Sequence, residues 1–292
     1  MKKPTVSVCI PVFNCEEYIG KAIESIIAQT FTDWELLILN NASTDNTKNI
    51  VRRYSDPRIR QIENQTNIGL EANWNKALGE AKGEYIKILP ADDFLYPDCL
   101  ERQVSIFKRL DNQSVVMTCC GRNIIDQDGN KLITRRFPGK EGRKPNNYVI
   151  KKVIQSGTNL LGEPGAILFK AEVLLRTGGF DGSLIYVIDV DLWLRILSNG
   201  DLYVAPESLC AFRLSTGSCS IKVSDLQSAH FTRFIKRAFI NYRDSLTFSD
   251  MYIGIFMSKI LSLIRKMVYL YSMRNNKFKL PYKSGMLQDD KR

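Results

Sequence analysis

Histidine is nearly absent from the sequence: His230 is the only one in 292 residues. A Ser-His-Asp triad, a Cys-His dyad or a multi-histidine metal site would each depend on that one position, so carboxylates must supply any acid-base chemistry. The seven cysteines are scattered without a C-x-x-C pair, which predicts reduced thiols in a cytosolic core instead of disulfides. Signal-peptide features and an uncharged stretch long enough to span a bilayer are also missing. We therefore expect a globular, cytoplasmic chain that forms its own core.

The excess positive charge lies near the C-terminus. The net charge is +10, and residues 222–292 hold 14 Lys and Arg against 5 Asp and Glu, which leaves the preceding residues close to neutral. We place a domain boundary between a near-neutral body (1–221), which holds the motifs described below, and a basic, helical C-terminal region (222–292). A near-neutral body with a basic appendage favours an anionic membrane surface as partner over nucleic acid, because no nucleic-acid-binding motif accompanies the charge.

Residues 256–271 have the periodicity of an amphipathic helix. Ser258, Lys259, Ser262, Arg265 and Lys266 fall on one side. The opposite side carries Phe256, Ile260, Leu263, Ile264, Met267, Leu270 and Tyr271. Two interpretations stay open: the helix lies in a membrane interface with its apolar face in lipid, or it packs on the body and exposes its basic face. A homodimer through residues 222–292 is left open as well.

The first hundred residues alternate between strand and helix patterns. Segments 5–10, 35–39, 58–63 and 84–89 predict four strands, with helices between them. Asn14 and Glu17 predict a capping box for the first helix, and Asp45 predicts a cap for the second. Repeated β-loop-α units predict an α/β fold, a Rossmann-like and mostly parallel sheet with helices on both faces, to which the C-terminal helical extension is added.

Polar residues follow each of the four predicted strands. They are the segments 11–14, 40–41, 64–67 and 92–93. Ligands of such sheets bind outside the carboxyl ends of the strands, so we expect these residues to line one crevice. Neither glycine-rich phosphate-binding motif follows the first strand, and a diphosphate would instead need a divalent cation. The carboxylates of Asp92 and Asp93 are hard oxygen ligands that suit Mg²⁺ or Mn²⁺, with a turn or capping role as the alternative.

Five segments together resemble family 2 of the glycosyltransferases. They are VSVCIPVFNCEEYIGKAIESIIAQTFTDWELLILNNASTDNT, GEYIKILPADDFLYP, EPGAILFKAEVLLRTGGFD, DVDLWLRILSNG and FRLSTGSCS. The resemblance spans most of residues 4–220 and stops at the basic C-terminal region. It implies the A-type glycosyltransferase fold and an inverting reaction that uses a nucleotide-sugar donor.

The resemblance also implies which residues bind the donor. Pro11 and Phe13 match the segment that lines the nucleobase pocket, and Asn41 matches a position where the family usually has an aspartate that accepts a hydrogen bond from the base. Asn67 and Asn75 match positions near the nucleotide, with capping or loop bracing as the alternative. The full implied set is Pro11, Phe13, Asn14, Glu16, Asn41, Asn67, Asn75, Asp92 and Arg213, the last of these as a contact to the diphosphate.

A metal ligand and a general base follow from the same comparison. Asp92 ends the segment that matches the family's Asp-x-Asp, so it is expected to hold Mg²⁺ or Mn²⁺ while diphosphate oxygens and water complete the coordination shell. Asp189 matches the catalytic base and begins a predicted helix, where a capping role is the alternative. Pro90 and Ile188 replace carboxylates that the family often has beside these two positions.

We therefore predict an inverting glycosyltransferase that moves a sugar from a nucleotide-diphosphate donor to a hydroxyl of a saccharide or lipid-linked saccharide. The expected setting is bacterial surface-polysaccharide assembly, in the cytoplasm or peripherally on the inner face of the plasma membrane. A sugar-nucleotide pyrophosphorylase is one alternative, although its glycine-rich phosphate loop is missing. A degenerate, non-catalytic sugar-nucleotide-binding protein is the other, because Pro90, Ile188 and Asn40-Asn41 depart from the family pattern.

Overall fold

The computed structural model describes residues 3–109, 114–214 and 227–274, apart from the side chains at 265, 266 and 268–274. Its strands are β1 (Val6–Val12), β2 (Trp34–Asn40), β3 (Ile59–Glu63), β4 (Tyr85–Ile88), β5 (Phe94–Leu95), β6 (Val115–Ile125), β7 (Lys131–Arg135), β8 (Gly142–Lys144), β9 (Ile167–Lys170) and β10 (Asp201–Arg213). Its helices are α1 (Ile19–Ile27), α2 (Thr47–Val51), α3 (Leu70–Glu80), α4 (Cys99–Arg109), α5 (Asn146–Ser156), α6 (Leu174–Thr177), α7 (Ile188–Leu197), α8 (Gln227–Asn241) and α9 (Phe248–Arg274). The predicted boundary at residue 221 and Cys219 lie outside the described residues, and the six described cysteines are free thiols.

The described strands form one mixed sheet in the order β3-β2-β1-β4-β9-β6-β10-β5, with β7 paired to β6 and β8 to β10. The first four strands in this order are parallel, and β9 and β5 run antiparallel to their neighbours. Every residue of β1 and β2 is buried, which explains their nearly continuous apolar sequence. The predicted mostly parallel α/β fold is therefore confirmed.

Helices cover both faces of the sheet, and each face has its own apolar core. Helices α1 and α4 pack on one face, while α3, α5, α7 and α8 pack on the other. Phe231, Phe234 and Ile235 of α8 share the second core with Trp193 of α7. The change in composition near residue 221 is therefore not accompanied by a separate core.

The predicted capping box of α1 is wrong. The helix begins at Ile19, its N-cap residue is Tyr18, and no side chain caps it. Asn14 has a left-handed backbone with φ of 48°. Its side chain instead contacts Thr44, 30 residues away: the amide oxygen accepts a hydrogen bond from Thr44 N at 2.8 Å. A partner that distant in sequence gives no local signal.

The long C-terminal helix α9 packs on the body through small residues, with Met251 and Ile255 partly buried beside them. Gly254, Ser258 and Ser262 are on the buried side, against α5. At Gly157, just after α5, an added Cβ would lie 2.4 Å from Ser258 N, so the two backbones are in close contact. The predicted apolar face is exposed: Phe256 is 64% exposed, Leu263 is 59% exposed and Met267 is 54% exposed. The helix therefore packs on the body, as one interpretation has it, but it leaves much of its apolar face open. A membrane interface stays a prediction.

Within the described part of the chain, no helix has the length and apolar character needed to cross a bilayer.

Candidate active site

Two loops at the carboxyl end of the sheet are joined into one platform. Asn14 N donates to Ser43 Oγ at 3.0 Å, and Cys15 N donates to Thr47 Oγ1 at 2.9 Å. Glu16 contributes from both its backbone and its side chain: its N–H donates to Asp45 at 3.0 Å, and its carboxylate accepts from Asn46 N at 2.8 Å. These hydrogen bonds fix the loop after β1 against the loop after β2.

Phe13 lies at this platform and is 46% exposed, whereas Pro11 is buried within β1. An exposed aromatic ring on a fixed loop is suited to stacking against a planar base. Asn14 and Glu16 use their side chains to hold the platform together. Asn14 and Glu16 are also exposed, so of the residues expected to bind the donor in this segment only Pro11 is buried.

A network of asparagines lies next to the platform. Asn41 is buried, and its amide oxygen accepts hydrogen bonds from Asn64 Nδ2 at 2.9 Å and from Ile68 N at 3.0 Å. Its amide nitrogen donates to Asn67 Oδ1 at 2.8 Å and to Gly69 O at 3.2 Å. The structure thus brings Asn41 and Asn67 together as predicted. An amide suits this position better than a carboxylate, because Gly69 O can only accept a hydrogen bond.

Asn75 lies in α3, and its side-chain amide forms two hydrogen bonds with the backbone of Phe180. Its oxygen accepts from Phe180 N at 2.7 Å and its nitrogen donates to Phe180 O at 2.9 Å. The side chain therefore braces the segment that precedes α7, which is the alternative considered for it above. A contact between Asn75 and the donor stays a prediction.

Arg213 holds the loop that carries Asp92 and Asp93. The guanidinium is buried and donates to the backbone oxygens of Asp92 at 3.0 Å and Gln127 at 2.7 Å. The Arg213 N–H donates to the Asp93 carboxylate at 2.8 Å. Its guanidinium also stacks over the ring of Tyr18, 4.5 Å from the centroid. Arg213 thus supports the loop of Asp92 and Asp93 through hydrogen bonds. A direct contact between Arg213 and a diphosphate stays a prediction.

Asp92 and Asp93 differ in their surroundings. Asp93 is buried, and desolvation together with the neighbouring charge of Asp92 holds the pKa of its carboxyl well above the ordinary value. Asp92 is only partly buried. Among the described residues, no three His, Cys, Asp or Glu side chains converge into a metal site. A divalent cation at Asp92 would therefore need oxygen ligands from a substrate, and this donor set fits Mg²⁺ or Mn²⁺.

Asp189 occupies the first turn of α7 beside the loop that follows α5. Its carboxylate accepts hydrogen bonds from Asn159 Nδ2 at 2.9 Å and from Val190 N at 2.8 Å. Burial raises the pKa of this carboxyl to about 7, and the negative charge of Glu163 adds to the increase against the hydrogen bond from Val190. Among the described residues, Asp189 has no ion-pair partner. A carboxylate with a pKa near neutrality and no paired cation is suited to accept a proton.

Asp191, two residues farther on, has a different role. Arg195 donates to it at 2.9 Å and Arg237 of α8 at 2.6 Å, so the side chain forms a largely buried ion-pair cluster. This cluster attaches α8 to α7. The structure thus distinguishes the two aspartates: Asp191 is held in ion pairs, whereas Asp189 has none among the described residues. That Asp189 lines the crevice stays a prediction.

Sequence reasoning missed two charged residues, Arg122 and Glu163, that lie near the carboxylate of Asp189. Arg122 is buried and pairs with Glu163 at 2.5 Å. The charge of Glu163 raises the pKa of both Asp93 and Asp189, so the three carboxylates lie within electrostatic range of one another. The one available signal was the position of Glu163 at the start of EPGAILFK, one of the segments quoted above.

The mixed sheet places the platform at the carboxyl ends of its parallel strands, which is where α/β enzymes with such sheets bind their ligands. A family model described as glycosyl transferase family 2 matches residues 7–171. An uncharacterized glycosyltransferase of Rickettsia typhi is 30% identical over 240 residues, which cover 80% of this chain and 72% of that protein. The chain therefore belongs to glycosyl transferase family 2, as its motifs indicated.

Other similar proteins differ more in length or sequence. The chondroitin synthase of Escherichia coli is 31% identical over 240 residues, which cover 80% of this chain but 32% of that protein. S. aureus TarS 1-349 in complex with UDP-GlcNAc has a TM-score of 0.65 at 17% identity, with 81% of this chain and 66% of that chain covered. A mannosyltransferase from Pyrobaculum calidifontis, in complex with GDP-Man and Mn²⁺, has a TM-score of 0.63 at 19% identity, with coverages of 94% and 76%. At these identities, the two solved structures show the fold alone.

Proposed function

We propose that the protein transfers a sugar, with inversion, from a nucleoside-diphosphate donor to a hydroxyl of a saccharide or lipid-linked saccharide in polysaccharide assembly. The observation that carries this proposal is Asp189: a carboxylate without a paired cation among the described residues, held by Asn159 and with its pKa raised to about 7. Similarity to the chondroitin synthase supports a polysaccharide product. Similarity to glycosyltransferases does not favour the pyrophosphorylase alternative.

The reaction needs a base on the side of the sugar opposite to the leaving group. As the acceptor oxygen bonds to the anomeric carbon, its proton passes to an Asp189 carboxylate oxygen, and the bond from that carbon to the diphosphate breaks. Asn159 keeps the carboxylate oriented through its 2.9 Å hydrogen bond. Attack from the side opposite to the leaving group inverts the anomeric centre.

The donor is expected to lie across the platform, with its base near Phe13 and its diphosphate toward Asp92. Proteins of this fold generally bind a divalent metal, and Asp92 would hold Mg²⁺ or Mn²⁺ here. When bound, such an ion stabilises negative charge on the departing diphosphate. The solved neighbours contain UDP-GlcNAc in one case and GDP-Man with Mn²⁺ in the other, so a screen of donors should include both bases.

Asp189→Asn tests the proposed base. Transfer should fall by at least about a hundredfold, since general bases contribute roughly 10² to 10⁴ to the rate, while donor binding stays near that of the parent. Asp191→Asn is the matched control two residues away: it weakens the ion pairs to Arg195 and Arg237 and lowers thermal stability, but the folded enzyme should keep its transfer activity. Full activity in Asp189→Asn would eliminate this base.

The pH dependence provides a second test of Asp189. The base works only after losing its proton, so kcat/KM for transfer should rise as the pH increases through about 7. A rate that is already maximal near pH 5 would contradict a base with this pKa.

Asp92→Asn tests the metal site. Mn²⁺ should raise the melting temperature of the parent protein in the presence of a UDP- or GDP-sugar, and Asp92→Asn should lose this stabilisation. Asp128 is an exposed aspartate outside the loop of Asp92 and Asp93. The control variant Asp128→Asn should keep the stabilisation by Mn²⁺. Donor binding without any transfer or donor hydrolysis, across a panel of nucleotide sugars, would instead support the non-catalytic sugar-nucleotide-binding alternative.

A further inference from the structure

A cavity lies beside Asn159, and none of the platform residues described above is in its lining. It has a volume of about 400 Å³, within the range of small-molecule sites. The loop after α5, the end of β7 and helix α9 each supply part of its lining. Its residues include Arg135, Arg136, Thr158, Asn159, Leu261 and Ile264.

One half of this cavity is cationic. Arg122, Arg135 and Arg136 line it together with the hydroxyl groups of Thr134 and Thr158, and no carboxylate of the described residues is in its lining. Arg122 is already paired with Glu163. Arg135 and Arg136 are exposed, and no carboxylate of the described residues forms an ion pair with either of them. Guanidinium groups beside hydroxyls are suited to bind phosphate oxygens.

The other half of the cavity is apolar and continues onto the exposed face of α9. Leu261 and Ile264 line it, and Ile264 is itself 44% exposed. From there the apolar face extends along the helix through Leu263 and Phe256 to Phe248. Exposed apolar surface of this extent on a basic region marks a binding surface for an apolar partner.

Asn159 connects this cavity to the proposed base. Its side chain lines the cavity and donates to the Asp189 carboxylate at 2.9 Å. A ligand with its anionic group on the two arginines is therefore separated from the reacting carboxylate by one side chain. This is the arrangement that an acceptor with a negatively charged anchor would need.

We propose that this cavity binds the phosphate of a lipid-linked acceptor, with Arg135 and Arg136 on the phosphate and the hydrocarbon chain along the apolar face of α9. The saccharide attached to that phosphate then extends past Asn159 to Asp189. The inference rests on the proposed function and adds to it the chemical class of the acceptor. Charge complementarity and the continuous apolar surface select an amphiphilic anion over a free oligosaccharide.

Binding of farnesyl phosphate, measured by isothermal titration calorimetry below its micelle concentration, tests the proposal. The parent protein should bind this probe, and it should bind farnesol and inorganic phosphate at least about tenfold more weakly, because each supplies only half of the interaction. Equal affinity for inorganic phosphate would reduce the site to a simple anion site and overturn the proposal.

Two variants test the cationic and the apolar parts of the cavity separately. Arg135→Gln/Arg136→Gln should weaken farnesyl phosphate binding about tenfold or more, and Arg53→Gln/Arg176→Gln, which removes two exposed arginines elsewhere, should not. Ile264→Ser should weaken binding of farnesyl phosphate while leaving that of inorganic phosphate unchanged. Leu175→Ser, at a position 92% exposed, is its control. Unchanged binding in either cavity variant would refute the assignment.

Other occupants of the apolar face give different results. A dimer in light scattering that dissociates in Phe256→Ser/Leu263→Ser would assign the face to a second copy of the chain. Binding to phosphatidylglycerol vesicles that is as tight as binding to farnesyl phosphate, and equally sensitive to the arginine variants, would assign it to bulk membrane lipid. Either result would overturn the acceptor site.

Parallel donor titrations distinguish this inference from the proposed function. A chain that binds farnesyl phosphate but no nucleotide sugar, and transfers nothing, would refute the transferase and with it the role of the cavity as an acceptor site. A chain that binds a nucleotide sugar but not farnesyl phosphate would keep the transferase and refute the cavity. Transfer to a lipid-phosphate saccharide with a raised KM, and an unchanged kcat, in the Arg135→Gln/Arg136→Gln variant would support both.

Discussion

Helices α1 and α9 are both amphipathic, yet they bury opposite kinds of residue. Helix α1 buries its apolar side, with Ile19, Ile23 and Ile26 fully enclosed. Among its described apolar and small residues, helix α9 fully buries only small ones such as Gly254 and Ser258, and it exposes several large apolar side chains, Phe256 and Leu263 among them. An amphipathic pattern therefore shows that a helix has two distinct faces, but the pattern alone does not show which of them meets the core.

The difference follows from what each helix packs against. Helix α1 lies on the buried strands of the sheet, where large side chains fill the space between the layers. Helix α9 lies against α5, and an added Cβ at Gly254 would come within 2.2 Å of Ile154 O. Small residues allow this close contact between two helices, and the large residues of α9 remain available for a partner.

The largest expected effect is a difference between two apolar truncations. Ile23→Ala in α1 should lower the free energy of unfolding by about 2–5 kcal/mol, because it leaves a cavity in a closed core. Phe256→Ala in α9 should change it by less than about 0.5 kcal/mol, since that side chain is 64% exposed. Urea denaturation of both variants measures the two values. A loss for Phe256→Ala as large as that for Ile23→Ala would mean that the apolar face of α9 is covered in solution.

A smaller difference is expected when the same substitution is made at two helical glycines. Gly254→Ala should destabilise the protein by about 1–3 kcal/mol, because its Cβ would overlap Ile154 O. Gly79→Ala in α3 meets no atom within 4 Å and should stabilise it by about 0.5–1 kcal/mol, since alanine is the better helix former. Thermal denaturation of the two variants shows whether each substitution raises or lowers the melting temperature. Stabilisation in Gly254→Ala would show that α9 is not held closely against α5.

The parts that were predictable from sequence depend on local pattern. Apolar runs identified the strands β1 and β2, alternation with helix patterns identified β3 and β4, and the order of the motifs identified the family and singled out Asp92 and Asp189. Which of the two nearby aspartates, Asp189 or Asp191, is held in ion pairs was not predictable from spacing. The decisive contacts are to Asn159 and to Arg237, 30 and 46 residues away from Asp189 and Asp191.

The roles that sequence analysis assigned wrongly or missed, all of them roles of side chains with distant partners, have the same physical origin. Asn14 has the residue type of a helix cap, but a hydrogen bond to Thr44 gives it another role. Arg213 donates to the acidic loop 121 residues earlier in the chain, and Asn75 binds a backbone 105 residues later. Polar side chains have few local constraints, so their partners are set by the tertiary structure. The buried face of α9 was missed for a related reason, because its small residues make a contact that depends on the position of α5.

The smallest expected effect concerns the polar attachment of α9, which α1 lacks. Thr247 and Asp250 cap the helix reciprocally: Thr247 N donates to the Asp250 carboxylate at 2.9 Å, and Asp250 N donates to Thr247 Oγ1 at 3.3 Å. Gln155 of α5 also donates to Asp250, at 2.6 Å. Burial opposes the charge, but these hydrogen bonds outweigh it and lower the pKa of Asp250 from 3.8 to about 2.

A lowered pKa means that the charged carboxylate stabilises the folded state above the unfolded value and that this contribution is lost on acidification. As the pH falls from 3.8 to about 2, the free energy of unfolding should therefore decrease less in Asp250→Asn than in the parent protein. Asp244 is an exposed aspartate between α8 and α9. In the control variant Asp244→Asn, the free energy of unfolding should decrease with pH as much as in the parent protein. Urea titrations at several pH values in this interval measure the difference. If Asp250→Asn and the parent lost stability in parallel, the cap and the contact to α5 would not hold α9 in place, and its small residues alone would explain the packing.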